Sequence, residues 1–411
     1  MPVNLREDCD YIVKNAISRV LPHEAVKRAL EGKKFSDGRL LLVSVGKAAW
    51  SMASAAYEIL GEAIDEGMVI TKHGYSRGEI GKLKIFEAGH PVPDDDSFSA
   101  TSKVLEMTEK LKENDTVVFL LSGGGSALFE APAVSSAELQ DITGQLLACG
   151  ADIVEINTIR KRLSKVKGGR FAVHCAPAKM FTVVLSDIIG DPLDMIASGP
   201  AYPDSSTSGE ALEIAEKYGL RLSSDAIECL KTETPKSIDN VETVITGSVR
   251  ELCAAAADAC RTLGYEPHIL TDCLNCEARD AGKMLAEKAV ENADCEKPAA
   301  FIAGGETVVH IKGKGMGGRN QEIALAAAEG IDGMENVAVF SVGSDGTDGP
   351  TDAAGGYADG NTRKALSRMG IDIGKVLENN DSYNALKTCG GLIFTGATGT
   401  NVNDVAVVLI K

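Results

Sequence analysis

Six short apolar runs constrain the fold of this chain most strongly, because each is followed by a turn rich in Gly, Ser or Asp and then by a helical pattern. The runs are continuous rather than alternating, which is typical of strands buried on both faces of a sheet. Strand, loop and helix in repeated succession predict βαβ units, and therefore an α/β fold with mostly parallel sheets. The runs are Leu40–Val45, Thr116–Leu121, Phe181–Leu185, Val241–Ile245, Ala299–Ala303 and Val337–Val342.

At about 150 residues per domain, a chain of 411 residues has room for two or three domains. A polar segment that contains Pro, Thr232–Asp239, separates two series of strand–helix units and marks a boundary. We therefore predict two Rossmann-like α/β domains with mostly parallel sheets, residues 1–235 and residues 236–403. The second is expected to be smaller and partly mixed, because Leu392–Thr395 and Val405–Ile410 are typical of a late hairpin. Residues 404–411 are expected to form a strand, and the sequence leaves open whether this strand joins the sheet of the first domain.

The charge balance is strongly acidic, with 42 Lys and Arg residues against 59 Asp and Glu residues and a formal net charge of −17. Such a field repels phosphate backbones and anionic lipids, which argues against nucleic acid or a membrane as a partner. No apolar stretch reaches the roughly 18 residues of a membrane span. The ten cysteines are scattered, as suits a reducing compartment. We expect a cytoplasmic protein, and the sequence leaves a homodimer open.

Glycine is in excess, at 43 of 411 residues, and many of these glycines directly follow the apolar runs. Ligands of parallel α/β sheets bind beyond the carboxyl ends of the strands, where glycine lets the backbone approach an anion closely. The clearest phosphate-type loop is Ser122-Gly123-Gly124-Gly125-Ser126, for which a flexible turn is the alternative. Gly304-Gly305-Glu306 follows a later run in the same way.

Two groups of basic residues lie near these loops. Lys47 follows Gly46 at a strand–helix junction, where the helix dipole disfavours a cation, so its position favours a functional role over that of a solvated lysine. The second group surrounds a literal match to the dinucleotide fingerprint, Gly313-x-Gly315-x-x-Gly318. The match is weak, because a Rossmann loop does not need the charge density of Lys312, Lys314 and Arg319. The pattern favours a mobile basic loop that surrounds phosphates. Arg319 is expected to bind a carboxylate or phosphate through the several N–H donors of its guanidinium, and the alternative is that Arg319 is an ordinary surface arginine.

Acidic residues end two further runs, and one histidine stands in a stiff loop. Asp187 follows Phe181–Leu185, and Asp345 follows Val337–Val342. Mg²⁺ needs one or two carboxylates together with substrate phosphates, which these positions offer, although turn and capping roles are the alternative. His90 precedes Pro91 in a loop stiffened by proline, and we expect a structural histidine there.

The motifs together resemble the glycerate 2-kinase family, whose C-terminal part is the MOFRL domain. They occur in the expected order from about residue 40 to residue 404. The resemblance implies ATP-dependent phosphorylation of D-glycerate to 2-phospho-D-glycerate with Mg²⁺, and an active site in a cleft between two α/β domains. The motifs are GKAAWSM, AGHPVPD, LLSGGGSAL, RLSKVKGGR, LSDIIGDPLDMIASGP, GGETVV, GMGGRNQEIAL, GSDGTDGPTDAAG, NNDSYNAL and GTNVND.

This resemblance leads to a hypothesis for the site. Lys47 and Arg319 are expected to face each other and to neutralise the phosphoryl group and the glycerate carboxylate. Asp187 or Asp345 is expected to orient Mg²⁺ or to accept the hydroxyl proton, and the two roles cannot be separated. The groups expected around the nucleotide or substrate are the loop Ser122–Ser126, Gly304, Gly305, Glu306 and Asn320.

Two competing functions remain open. An NAD(P)H-dependent hydroxypyruvate reductase is the first alternative, because relatives often carry that label, and its support in the residues is the fingerprint at Gly313–Gly318. A non-catalytic sensor of sugar acids or nucleotides is the second. It explains poorly why basic and acidic residues are combined at the strand ends.

Overall fold

The computed structural model describes residues 4–411 and divides into two compact units. The first unit comprises Ala25–Leu185 and Asp191–Thr246, and the second comprises the described residues up to Glu24, Ser186–Gly190 and Gly247–Lys411. This division differs from the predicted domains, because residues before Ala25 belong with the C-terminal half. The polar segment predicted as a boundary lies inside the first unit.

The described residues form helices and strands in alternation. The strands are β1 (Leu40–Val45), β2 (Glu66–Lys72), β3 (Lys84–Ala88), β4 (Thr116–Leu121), β5 (Lys179–Leu185), β6 (Val241–Gly247), β7 (Glu266–Leu274), β8 (Ala299–Gly305), β9 (Val337–Gly343), β10 (Gly355–Asp359), β11 (Leu392–Ile393) and β12 (Asp404–Ile410). The α-helices are α1 (Leu5–Val20), α2 (Pro22–Leu30), α3 (Ala49–Leu60), α4 (Asp95–Thr108), α5 (Gly125–Leu128), α6 (Ser136–Ala148), α7 (Ile153–Arg162), α8 (Arg170–Cys175), α9 (Ser208–Lys217), α10 (Ser224–Lys231), α11 (Val249–Thr262), α12 (Ala278–Glu291), α13 (Arg319–Gly330), α14 (Thr362–Arg368), α15 (Ile373–Glu378) and α16 (Ser382–Cys389).

The sheet of the first unit has the strand order β3-β2-β1-β4-β5-β6. Strand β1 pairs in parallel with β2 and β4, and the pairs β2–β3 and β4–β5 are parallel as well. All six residues of β1 and all six of β4 are buried, because these continuous apolar runs lie in the middle of the sheet with helices on its faces. The α/β prediction is confirmed here, and the carboxyl ends of β1 and β4 lie side by side.

The sheet of the second unit has the order β11-β10-β9-β12-β8-β7 and is mixed. Only the β7–β8 pair is parallel among its pairs, whereas β12 runs antiparallel to both β8 and β9. The predicted mixed character of this sheet is confirmed, although its antiparallel pairs outnumber the one parallel pair. The predicted late hairpin between Leu392–Thr395 and Val405–Ile410 is wrong, since β11 pairs with β10 and β12 pairs with β8 and β9. Strand β12 lies at the centre of this sheet and does not join the first one.

The N-terminal helix α1 packs within the second unit. Its apolar stripe, which includes Cys9, Ile12 and Ala16, is buried in one core cluster with Ala256 and Cys260 of α11. The spacing of the stripe dictates that one face of the helix is buried, but it does not specify the sheet against which that face packs. None of the helices described between residues 4 and 411 has the length and apolar character needed to cross a membrane.

Candidate active site

The loops that follow β1 and β4 are tied together at the end of the first sheet. Lys47 N donates to Gly123 O at 2.9 Å, and Ala48 N donates to Ser122 Oγ at 3.1 Å. Gly46 has φ +124°, and a Cβ there would lie 2.2 Å from Ser122 Oγ. A side chain at Gly46 would therefore separate the loops. Ser122 is buried and its hydroxyl joins the two loops, and its predicted place around a ligand stays a prediction.

The side chain of Lys47 is a half-buried cation at this junction. Its ammonium group forms no ion pair and no hydrogen bond with any residue from 4 to 411. A Cβ on Gly124 would lie 3.2 Å from Lys47 Cγ, so the lysine stem lies against the glycine loop. A partly buried cation without an anionic partner is costly, and an anionic ligand would supply the missing partner.

The far end of the glycine loop is held by a buried ion pair. Ser126 O accepts hydrogen bonds from Lys167 Nζ at 2.7 Å and from Arg160 Nη2 at 3.1 Å. Lys167 Nζ also lies 3.1 Å from Glu130 Oε2, and both side chains are fully buried. Burial lowers the pKa of Lys167 to about 8, against the opposing effect of the Glu130 charge. The cations of the RLSKVKGGR motif thus include one that positions the loop rather than contacting a ligand.

In the second unit, Arg319 is already paired with two carboxylates. Its Nε and Nη2 donate to Asp404 at 2.5 and 3.1 Å, and its Nη1 donates to Glu306 at 2.7 Å. Burial alone would lower the pKa of Arg319, but the hydrogen bonds and charges of Asp404 and Glu306 raise it. The Glu306 side chain is 47% exposed and that of Asp404 is 8% exposed. An incoming anion would therefore compete with Glu306 for this guanidinium.

The N-terminus of α13 is occupied by an internal carboxylate. Asp348 accepts hydrogen bonds from Asn320 N at 3.1 Å and from Gln321 N at 2.8 Å. Burial raises the pKa of Asp348 to about 6, although these hydrogen bonds act to lower it. Asn320 is buried, with its amide directed to Asp348 and its carbonyl to Ser341. Asn320 thus holds Asp348, and its predicted contact with a cofactor stays a prediction.

The basic segment before α13 is fixed rather than mobile. Lys312 N and Gly313 N both donate to Asn380 Oδ1, and Lys314 N donates to Asn379 Oδ1. Neither this packing nor the capped helix matches a Rossmann loop, in which a pyrophosphate occupies the helix N-terminus. The fingerprint therefore gives the reductase hypothesis no support.

Glu306, Thr307, Arg319 and Asp345 line a cavity of ≈ 720 Å³ in the second unit. Asp345 Oδ1 accepts a hydrogen bond from Thr347 N at 3.0 Å, and its Oδ2 accepts none from residues 4–411. One free carboxylate oxygen beside a cavity suits a cation that keeps most of its ligands as water and phosphate.

Three other predicted residues have different surroundings. Gly304 and Gly305 end β8 and are buried: a Cβ on Gly304 would lie 2.3 Å from Cys253 Sγ, and one on Gly305 would lie 2.1 Å from Leu274 O. These two glycines allow close packing and do not line the cavity, unlike Glu306. Asp187 is half-buried and lies two residues after the end of β5.

A cluster of metal-ligand types occurs elsewhere. Ligand atoms of His73, Asp94 and Asp96 lie within 4.8 Å of one another, and neither Asp187 nor Asp345 belongs to such a group of three within residues 4–411. Asp94 caps α4 through a capping box, and its hydrogen bond to His73 completes a structural role.

Sequence reasoning missed two contributors to these sites. Asp404 contacts Arg319, which lies 85 residues away in the sequence. The only sequence signal for Asp404 is its place at the end of the GTNVND motif, which gives no hint of its partner. Lys167 was one of several cations in a single motif, and nothing in the spacing separated it from the others.

The comparisons agree with the resemblance. Residues 8–231 match the family described as a domain of unknown function, DUF4147, and residues 299–404 match the MOFRL family. A D-glycerate 2-kinase from Thermotoga maritima is 53% identical over 100% of this chain and 99% of its own. A putative hydroxypyruvate reductase from Agrobacterium vitis is 38% identical over 91% of this chain and 100% of its own.

Among solved structures, a crystal structure of glycerate kinase from Thermotoga maritima is similar over 99% of both chains, with 54% identity and a TM-score of 0.94. The relatives thus match the chain end to end in sequence and in fold. The chain belongs to the glycerate 2-kinase family.

Proposed function

We propose that the protein transfers a phosphoryl group from ATP to D-glycerate and forms 2-phospho-D-glycerate. The observation that carries the proposal is the 53% identity over the whole chain to a D-glycerate 2-kinase. A kinase of small acids must hold anions in an acidic protein, and the unpaired ammonium of Lys47 beside the glycine loop offers a local positive charge for that purpose. Phosphoryl transfer depends mainly on such positioning and charge stabilisation.

The roles of the residues follow from their partners. Lys47 is expected to bind a phosphoryl or carboxylate group directly. Arg319 is expected to do so by exchanging its exposed partner Glu306 for the ligand, while the buried partner Asp404 keeps the guanidinium in place. That Lys47 and Arg319 act on the same group stays a prediction.

Mg²⁺ is part of the proposal. The free Oδ2 of Asp345 suits a cation that also binds phosphate oxygens, and Asp187 remains the second candidate ligand. Bound Mg²⁺ would neutralise charge on the transferring phosphate. Which of the two carboxylates takes the hydroxyl proton stays open to test.

The first experiment measures ADP release with D-glycerate, ATP and MgCl₂, and identifies the phosphorylated position by phosphorus NMR. We expect ADP release and the 2-phosphate. In a second arm, hydroxypyruvate and NADH replace these substrates, and we expect no NADH oxidation. NADH oxidation without ADP release would overturn the kinase and favour the reductase.

The second experiment tests Lys47 and Arg319. Lys47→Met is expected to lower turnover by about a hundredfold or more, whereas Lys165→Met, at an exposed lysine of the same unit, serves as the matched control. Arg319→Ala alone leaves the buried Asp404 carboxylate unpaired, so it is paired with Arg319→Ala/Asp404→Asn. A folded double variant with full turnover would exclude Arg319 from the reaction.

The proposal extends to the setting of the protein. A cytoplasmic location agrees with the ten cysteines, none of which forms a disulfide bond in the part of the chain that the structure describes. A homodimer stays a prediction, to be tested by light scattering of the purified protein.

A further inference from the structure

His90 occupies the loop between β3 and α4 and lies against the glycine loop. A Cβ on Gly124 would be 3.0 Å from His90 Cδ2 and 3.2 Å from His90 Nε2, so the imidazole edge faces the side of Gly124 where a side chain would stand. The same virtual atom is 3.2 Å from Lys47 Cγ. His90 and Lys47 therefore flank one point of the loop.

The imidazole of His90 has no hydrogen-bond partner among residues 4–411. The contrast with His174 is direct: its Nε2 contacts Leu105 O and Thr108 Oγ1, each at 3.1 Å. His73 contacts the Asp94 carboxylate at 2.9 Å. A half-buried imidazole usually satisfies at least one nitrogen within the protein, and His90 differs from the structural histidine predicted for this position.

The charges that act on His90 are both positive. Burial lowers the pKa of His90 below its usual value of 6.5, and the charges of Lys47, from the loop after β1, and of Lys72, from β2, lower it further. Lys72 Nζ lies 5.3 Å from the centre of the Tyr75 ring, and within residues 4–411 neither lysine forms an ion pair. The unsatisfied imidazole is thus acted on by two ammonium groups, and no carboxylate of the protein is among the charges that shift its pKa.

We propose that His90 contacts substrate, and that with Lys47 and Lys72 it binds an anionic group of the reactants, either the glycerate carboxylate or a phosphate of the nucleotide. This inference rests on the proposed function and adds a residue to its binding site. The imidazole donates a hydrogen bond to an anionic oxygen, while the ammonium groups supply the charge.

The proposal has a consequence for pH. An anion beside the imidazole favours its protonated form and raises the pKa of His90. Binding then takes up a proton wherever the pH lies between the pKa values of the free and the occupied site, so affinity rises as the pH falls through that range. A histidine that only supports the loop would not link proton uptake to ligand binding.

The test uses His90→Gln, which can donate a hydrogen bond but does not titrate, and His90→Ala, which can do neither. Because hydrogen bonds to charged groups are stronger than neutral ones, His90→Ala is expected to raise the KM for the contacted substrate by about ten- to a hundredfold, with a smaller rise in His90→Gln. His268→Gln, at an exposed histidine of the second unit, is the control. KM values for D-glycerate and for ATP are measured separately from pH 5 to pH 8.

A rise in the KM for D-glycerate alone assigns the carboxylate, and a rise in the KM for ATP alone assigns a phosphate. In either case the pH dependence of the affected KM should be lost in His90→Gln. Unchanged KM values and an unchanged pH profile in both variants overturn the inference, as does a fall in kcat alone.

A second measurement does not depend on how the variants fold. In the wild-type protein, the ring proton of His90 is titrated by NMR with and without D-glycerate, and with and without ATP. We expect a pKa below the usual value that rises when the contacted ligand is added, and a pKa that neither ligand moves would contradict the inference. ADP release by the wild type tests the proposed function separately, so the two can fail independently.

Discussion

Replacing Lys167 with Met removes a cation that is fully buried between the glycine loop and Glu130. The Glu130 carboxylate is then left without its nearest cation, and breaking one side of a buried pair costs about 3–5 kcal/mol. Phe129 O loses its donor as well, whereas Ser126 O keeps Arg160. We therefore expect Lys167→Met to lower the free energy of unfolding of the first unit by about 3–5 kcal/mol.

The double variant Lys167→Met/Glu130→Met separates the cost of the unpaired Glu130 carboxylate from the cost of the hydrogen bonds that Lys167 no longer donates. It removes the orphaned carboxylate and leaves mainly the unsatisfied carbonyl of Phe129, which costs about 1–3 kcal/mol. The double variant should therefore be more stable than Lys167→Met alone. The two single effects would then be strongly non-additive, as expected for groups in contact.

The assay is urea unfolding followed by tryptophan fluorescence. The chain has one Trp, and Trp50 lies in α3 of the first unit, where its Nε1 donates to Gly78 O at 2.8 Å. The signal therefore reports on the unit that contains Lys167. Lys165→Met, at an exposed position, should stay within about 0.5 kcal/mol of the wild type. A loss in Lys167→Met no larger than in Lys165→Met, or additive single effects, would refute the reasoning.

Two further predictions concern the loop and the capped helix. Gly46→Ala should lower the free energy of unfolding of the first unit far more than Gly61→Ala does. Both glycines have positive φ, but only at Gly46 would the new Cβ meet another atom, Ser122 Oγ at 2.2 Å. Equal losses of unfolding free energy in the two variants, measured by Trp50 fluorescence, would count against this. Asp348 has its pKa raised from 3.8 to about 6, so the folded state binds more protons than the unfolded state between these values and stability falls as the pH rises through them. The free energy of unfolding of the wild type relative to Asp348→Asn, measured by circular dichroism, should fall by about 3 kcal/mol from pH 3.5 to pH 7, and a difference independent of pH would show that Asp348 does not titrate in this way.

The sequence was sufficient for the elements whose signal is local. The continuous apolar runs predicted β1 and β4 and the loops that follow them, because burial on both faces leaves its mark on each strand separately. The same kind of run could not reveal the direction of β12, since a central antiparallel strand and a central parallel strand are equally buried. Likewise, the spacing of apolar residues in α1 predicts which face of the helix is buried, but it does not predict which sheet that face covers.

The site was predictable in part for a related reason. Lys47 stood out because its place at a helix start is electrostatically unfavourable, and that is a property of neighbours in sequence. The pairing of Arg319 with Asp404 and the capping of α13 by Asp348 depend on residues distant in sequence. Gly304 and Gly305 resembled a binding loop because close packing and ligand approach demand the same absence of a side chain.

The central place of β12 bears on the order in which the protein is made. The first unit has all its strands once the chain has passed β6, whereas β8 and β9 of the second unit have no common neighbour until Asp404–Ile410 emerges. Helix α1, although made first, belongs to this later unit. During synthesis α1 has its packing partner once α11 is made, but the sheet of this unit is completed only by the last strand. Contacts of such long sequence separation form slowly. Until then the edges of β8 and β9 that will pair with β12 are exposed, so this sheet is open to edge-to-edge association for longer than the sheet of the first unit.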